Sequence, residues 1–187
     1  MKDKKFIDDY LERYKKVLLQ TDVSENMITA KTLLLKTRQN GKKVIIVGNG
    51  GSAAMASHVT VDFTKAANIR AVNFNEADLI TCFANDYGYE NWVKKALEAY
   101  ADKDDLAILI SSSGKSPNIL NGARQAKEMG LTVVTISGFG SDNPLRKIGD
   151  VNLWVDSTAY NIVEMTHHIW LLAIIDYLIE KQSEKEA

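Results

Sequence analysis

The sequence predicts an α/β fold: a doubly wound sheet of five parallel strands with helices on both faces and two extra helices at the N-terminus. Three observations predict it. Short apolar runs without polar alternation recur along the chain, as strands buried on both faces require. Helical periodicity fills the segments between them. Two loops rich in Gly or Ser follow strand ends and open helices, at 48–52 and 111–116.

Residues 3–39 read as two amphipathic helices, with Phe6, Tyr10, Tyr14 and Leu18, then Met27, Ala30, Leu33 and Leu34, at helical spacing. Thr21 to Glu25 supplies the turn, and Asn40-Gly41 ends the pair. Alternation begins there. Strands are expected at 44–47, 69–74, 106–110, 132–136 and 151–155, and helices at 52–65, 78–84, 91–100, 118–129 and 161–181. Residues 1–40 are read as a helical pair serving oligomerisation within the same unit as residues 41–187, and residues 180–187 as a frayed tail.

A chain of 187 residues can bury one substantial core. Hydrophobic residues at 45% and charged residues at 25% are ordinary for a globular protein. The net charge of −1 gives no electrostatic ground for nucleic acid or an anionic membrane as a partner. One cysteine, Cys82, excludes an internal disulfide; its apolar setting, Ile80-Thr81-Cys82-Phe83-Ala84, places it in the core. No signal-peptide pattern follows Met1, and no apolar run reads as long enough for a bilayer, so the expected location is the cytoplasm.

Ligands of such sheets sit beyond the carboxyl ends of the strands. In Ile110-Ser111-Ser112-Ser113-Gly114-Lys115-Ser116-Pro117-Asn118 an apolar strand delivers hydroxyls to a helix N-terminus. Unpaired N–H groups and the helix dipole favour an anion there, and a phosphate is the natural guest. The same string fits an ordinary turn with Ser116 as N-cap. No Gly-x-x-x-x-Gly-Lys-Ser/Thr string occurs, so this is not a Walker loop. The other loop, Gly48-Asn49-Gly50-Gly51-Ser52-Ala53, has the spacing of a dinucleotide turn with its last Gly replaced by Ala. The next strand ends at Asn73 and Asn75 without a ribose-binding carboxylate, and Asn49 and Ser52 suit sugar hydroxyls.

These loops, with His58 and Ala84-Asn85-Asp86-Tyr87-Gly88-Tyr89 in the same order, resemble the sugar isomerase (SIS) superfamily and, within it, the phosphoheptose isomerases. The resemblance spans nearly the whole chain. It implies a single SIS domain with flavodoxin-like strand order and a homotetramer with active sites between subunits. It further implies conversion of sedoheptulose 7-phosphate to D-glycero-D-manno-heptose 7-phosphate, often with zinc, toward lipopolysaccharide or capsule heptose. By position it makes Ser111, Ser112, Ser113 and Ser116 the phosphate cradle. Asn49, Gly50, Ser52 and Asp86 become substrate contacts, and His58 a metal ligand.

The catalytic pair departs from the family. The family's glutamate four residues after the histidine is Asp62 here, one methylene shorter. The family's glutamine in the last helix is Glu164, and its later histidine is Leu172, which neither transfers a proton nor binds metal. The residues offer a substitute: Asp62, Glu164 and His168 as catalytic groups, and His58, Asp62 and Glu164, joined by His167 or His168, as a metal set. His167 and His168 equally suit helix packing. Asp62 and Glu164 both qualify as the base of an aldose–ketose isomerisation. A non-catalytic sugar-phosphate-binding or scaffolding protein, which Leu172 favours, and a dinucleotide-binding protein are the competing readings.

Overall fold

The computed structural model describes residues 2–186, with side chains placed from Lys2 to Glu180. Five parallel strands form one sheet in the order β2-β1-β3-β4-β5: β1 (Val44–Val47), β2 (Ala71–Asn73), β3 (Leu106–Ser111), β4 (Thr132–Ser137) and β5 (Val151–Trp154). This is the expected flavodoxin-like order. Strand order reverses between β1 and β3, where such sheets hold their ligands.

Period-two alternation sends the strand side chains to two cores. Val44, Ile46, Ile108 and Ile136 pack with α2 (Ser24–Gln39), α3 (Gly51–Lys65) and α7 (Tyr160–Glu186). Ile45, Val47, Leu109 and Val133 pack with α5 (Trp92–Tyr100) and α6 (Pro117–Glu128). Burial on both faces explains why the strands read as unbroken apolar runs. α1 (Lys2–Gln20) lies along α7, where the Tyr14 hydroxyl donates to the Asn161 carbonyl at 3.0 Å. At the α1–α2 turn the Asp22 carboxylate accepts the Ser24 N–H at 3.1 Å, in place of one helical bond.

Several expectations change. β2 is three residues instead of six: the Ile69 N–H is spent on the Phe63 carbonyl at the end of α3, and Phe74 turns into the core past the last pair. α4 (Ala77–Tyr87) runs further than 78–84, so Asn85 and Asp86 lie in its last turn, closed by Gly88 at φ 84°. Cys82 is exposed, because α4 turns that side of its apolar run to solvent. The backbone of α7 stays helical to Glu186 where a frayed tail was expected. α7 is also long and apolar enough to cross a membrane by length and composition, contrary to the sequence reading. Half of that stretch is buried against the sheet and its neighbours, which accounts for its apolarity.

Candidate active site

Two helices begin at the point where strand order reverses, α3 after β1 and α6 after β3, and neither has a side-chain cap. Gly50 enters α3 at φ 54°. Gly48 is required by close approach: a Cβ there would sit 2.6 Å from the Ser52 carbonyl carbon. At α6, Pro117 takes the first turn, where its missing N–H costs nothing. Ser116 does hold the N-cap position, as the alternative reading had it, but its hydroxyl makes no cap. It lies 3.0 Å from the Ser111 hydroxyl, across the mouth of the loop.

Between the two helix starts is a cleft of about 100 Å³ lined by Asn49, Ser52, Ser111, Ser112, Ser113, Ser116, Tyr160 and Glu164, with Ile110 at its floor. Ser111 and Ser112 are buried and hold their hydroxyls in place. The Glu164 carboxylate reaches in from the first turns of α7. Its Oε1 accepts from the Ser112 hydroxyl at 3.5 Å, and its Oε2 packs on Gly51, so closely that a Cβ there would lie 2.8 Å from Cδ. A carboxylate at a helix N-terminus is favourably placed against the dipole. Glu164 is the one carboxylate among the residues lining the cleft.

Asn49 is not a free sugar contact. It exchanges two amide hydrogen bonds with Asn118, at 3.0 and 2.8 Å, and accepts from the Tyr89 hydroxyl at 3.2 Å. Asn118 is 1% exposed, so this pair ties the two loops together. Asn118, Tyr89 and Tyr160 were not found from the sequence. Asn118 stands in the quoted serine motif and Tyr89 in the quoted α4 motif, but only the fold shows that both meet Asn49. Gly50 stands exposed at the α3 start outside the lining, and Asp86, exposed on α4, bonds to Asn85 at 2.9 Å.

The other predicted residues form a second cluster, on adjoining faces of α3 and α7. His58 Nδ1 lies 2.9 Å from His168 Nε2, and His58 Nε2 lies 3.2 Å from Asp62 Oδ2. Burial first, then the neighbouring His58, push the His168 pKa down, partly opposed by Asp62. None of the three lines the cleft. His167, one turn beyond Glu164, faces the core: it is fully buried and donates through Nε2 to the Ser137 carbonyl at 3.0 Å. Burial pushes its pKa down to about 4, so it is neutral at pH 7. Leu172 packs against the core.

The zinc that the resemblance implies finds no assembled ligand set within one chain, among the described residues. Both ring nitrogens of His58 are already engaged, Glu164 stands in the other site, and among the described residues no three His, Cys, Asp or Glu side chains gather to hold a metal. The expected metal set of His58, Asp62 and Glu164 is therefore not assembled within one chain. The two Asn residues after β2 are spent on structure as well: Asn73 Oδ1 accepts the Asn75 N–H at 3.0 Å, and Asn75 donates to Ala53 and Ser57.

A doubly wound sheet with two uncapped helix starts and a serine loop at its switch point defines an α/β protein with a cleft suited to an anion. The profile of the SIS domain family matches residues 6–138, and the chain belongs to that family. Its relatives include phosphoheptose isomerases. That of Fusobacterium nucleatum subsp. nucleatum is 37% identical over 73% of this chain and 72% of its own length. That of Campylobacter concisus is 31% identical over 91% of this chain and 94% of its own. The structure of a phosphoheptose isomerase from Francisella tularensis superimposes with a TM-score of 0.89 at 25% identity, covering 97% of this chain and all of that one. The profile match ends before α7, so Glu164, His167 and His168 lie outside it.

Proposed function

We propose that this protein interconverts a ketose phosphate and an aldose phosphate, with sedoheptulose 7-phosphate and D-glycero-D-manno-heptose 7-phosphate as the pair. The observation that carries the reading is the cleft itself, which is lined by the serine loop and by one carboxylate, Glu164, beside Ser112. The phosphate rests on Ser111, Ser113 and Ser116 and the start of α6. Its binding energy holds the reacting carbons in register. Glu164 is the base. It takes a proton from C1 of the ketose, α to the C2 carbonyl, and the electron pair forms the enediol double bond. The same carboxyl returns the proton to C2 while the O1 proton passes to O2, giving the aldose. Hydroxyls of Ser52 and Tyr160 line the cleft as donors to the developing oxyanion.

Asp62, His58 and His168 are assigned to a site completed across subunits in a homotetramer. Exposed apolar side chains support such an assembly: Phe6 and Leu11 on α1 are 63% and 58% exposed, and Met165 and Ile169 on α7 are 44% each. No step is assigned to zinc. We place the reaction in the cytoplasm, where a phosphorylated sugar is retained.

The test is incubation of the purified protein with sedoheptulose 7-phosphate, followed by NMR for the aldose signal. The reading requires aldose to accumulate. Absence of turnover with every C5 to C7 ketose phosphate, with or without zinc, would overturn it. A sugar-phosphate melting shift without turnover would then establish the non-catalytic reading that Leu172 favours.

A further inference from the structure

We propose that Asn143, in the loop between β4 and β5, is a positioning residue that sets the shape of the phosphate cradle. The inference rests on the reading of Ser111 to Ser116 as that cradle. The loop is held from outside by two backbone bonds: Gly138 N–H donates to the Ser112 carbonyl at 2.9 Å, and Leu145 N–H donates to the Gly114 carbonyl at 3.1 Å. Both donors belong to the β4–β5 segment, and Asn143 ties that segment together. Its side-chain Nδ2 lies within bonding distance of the Ser137 hydroxyl at 3.0 Å and the Gly140 carbonyl at 2.9 Å, with Gly138 O at 3.2 Å. Its Oδ1 accepts the Arg146 N–H at 3.0 Å.

Asn143 is 1% exposed, so these bonds form away from water, where an unmade partner is costly. The side chain also forms the floor under Gly114, which has φ 65°. A Cβ on Gly114 would meet the Asn143 carboxamide and lie 2.8 Å from its Cβ. Glycine there and asparagine beneath it form one fitted contact. Asn143 touches no residue that would meet the reacting carbons, so its effect falls on phosphate binding.

The test uses Asn143→Ala and Asn143→Ser in the full chain. The probes are inorganic phosphate by calorimetry and the ketose phosphate in the isomerase assay. Ala removes every bond; Ser keeps one hydroxyl to bridge the segment. Phosphate Kd and substrate KM are expected to rise about tenfold in Ala and less in Ser, with kcat within threefold of wild type. If Asn143→Ala does not fold, Asn143→Ser alone must still show the rise in Kd. Unchanged phosphate Kd in a folded variant, or a fall in kcat at constant KM, overturns the proposal. So does a wild-type protein that does not bind phosphate. A wild type that binds phosphate but turns over no ketose overturns the isomerase reading alone, because the Kd comparison stands without turnover.

Discussion

Gly51→Ala separates the stability of this protein from its activity. Gly51 is the first residue of α3, and its φ is not in the left-handed region, so alanine suits the backbone. Replacing a helical glycine by alanine contributes about 0.5–1 kcal/mol. The new methyl, however, would lie 2.8 Å from Glu164 Cδ and nearer still to Oε2. Carbon atoms pack at about 3.5–4.0 Å, so the carboxyl group must withdraw by about 0.7 Å or more. The obstacle is the end of a flexible side chain, and the protein absorbs it by moving Glu164 out of the cleft. Displacing a reacting group by about 1 Å costs about a hundredfold in rate. The expected result is a melting temperature equal to or above wild type and a kcat about a hundredfold lower. Inhibition by inorganic phosphate should stay within twofold, since the serine loop is untouched. The assay is the NMR turnover assay with thermal unfolding alongside. Glu164→Gln should lose as much activity, and the double variant no more than either, because both act through one carboxyl group. A Gly51→Ala enzyme within threefold of wild-type kcat would refute the assignment of Glu164 as base.

Three further outcomes are expected. His167 takes up a proton at about pH 4 in the folded state against an ordinary 6.5, so the unfolded chain binds more protons between those values and stability falls as pH drops through that window. The loss is about 3 kcal/mol in total, and His167→Gln, which cannot titrate, should show a shallower acid limb in denaturant titrations; identical limbs would contradict the burial argument. Gly48→Ala forces a methyl to 2.6 Å from backbone atoms of Ser52 that cannot rotate away. It should cost about 2 kcal/mol, or about 6 °C in melting temperature by calorimetry, and no loss would show that α3 can shift freely. Phe6→Lys with Leu11→Lys should lower the mass found by light scattering without unfolding the chain, and an unchanged mass would remove α1 from the subunit interface.

The fold was legible because its signals are local. Unbroken apolar runs such as Val44 to Val47 mark strands buried on both faces, and the glycine and serine loops mark their carboxyl ends. Errors arose where a local signal met a distant partner. Ile69 reads as strand, but its N–H belongs to the α3 terminus. Cys82 reads as core, but α4 covers the sheet with its other side. The place of the serine loop between a strand end and a helix start was readable, since both lie in one continuous string. The three side chains Glu164, His167 and His168 were not separable by spacing, since i+3 and i+4 both adjoin i on a helix. The fold sends them to three places: the cleft, the core and the face of α3. Asn118 and Asn143 act on Asn49 and Gly114, 69 and 29 residues away, and no spacing rule announces a buried amide.

In the proposed reaction one cleft holds a sugar phosphate by its phosphate on the serine loop and meets its reacting carbons with Glu164. A crystal structure with a bound ketose phosphate tests it most directly. Phosphate oxygens are expected within hydrogen-bond distance of the Ser111, Ser113 and Ser116 hydroxyls, and C1 and C2 beside the Glu164 carboxylate. A phosphate bound elsewhere, or reacting carbons turned away from Glu164 toward solvent, would contradict it.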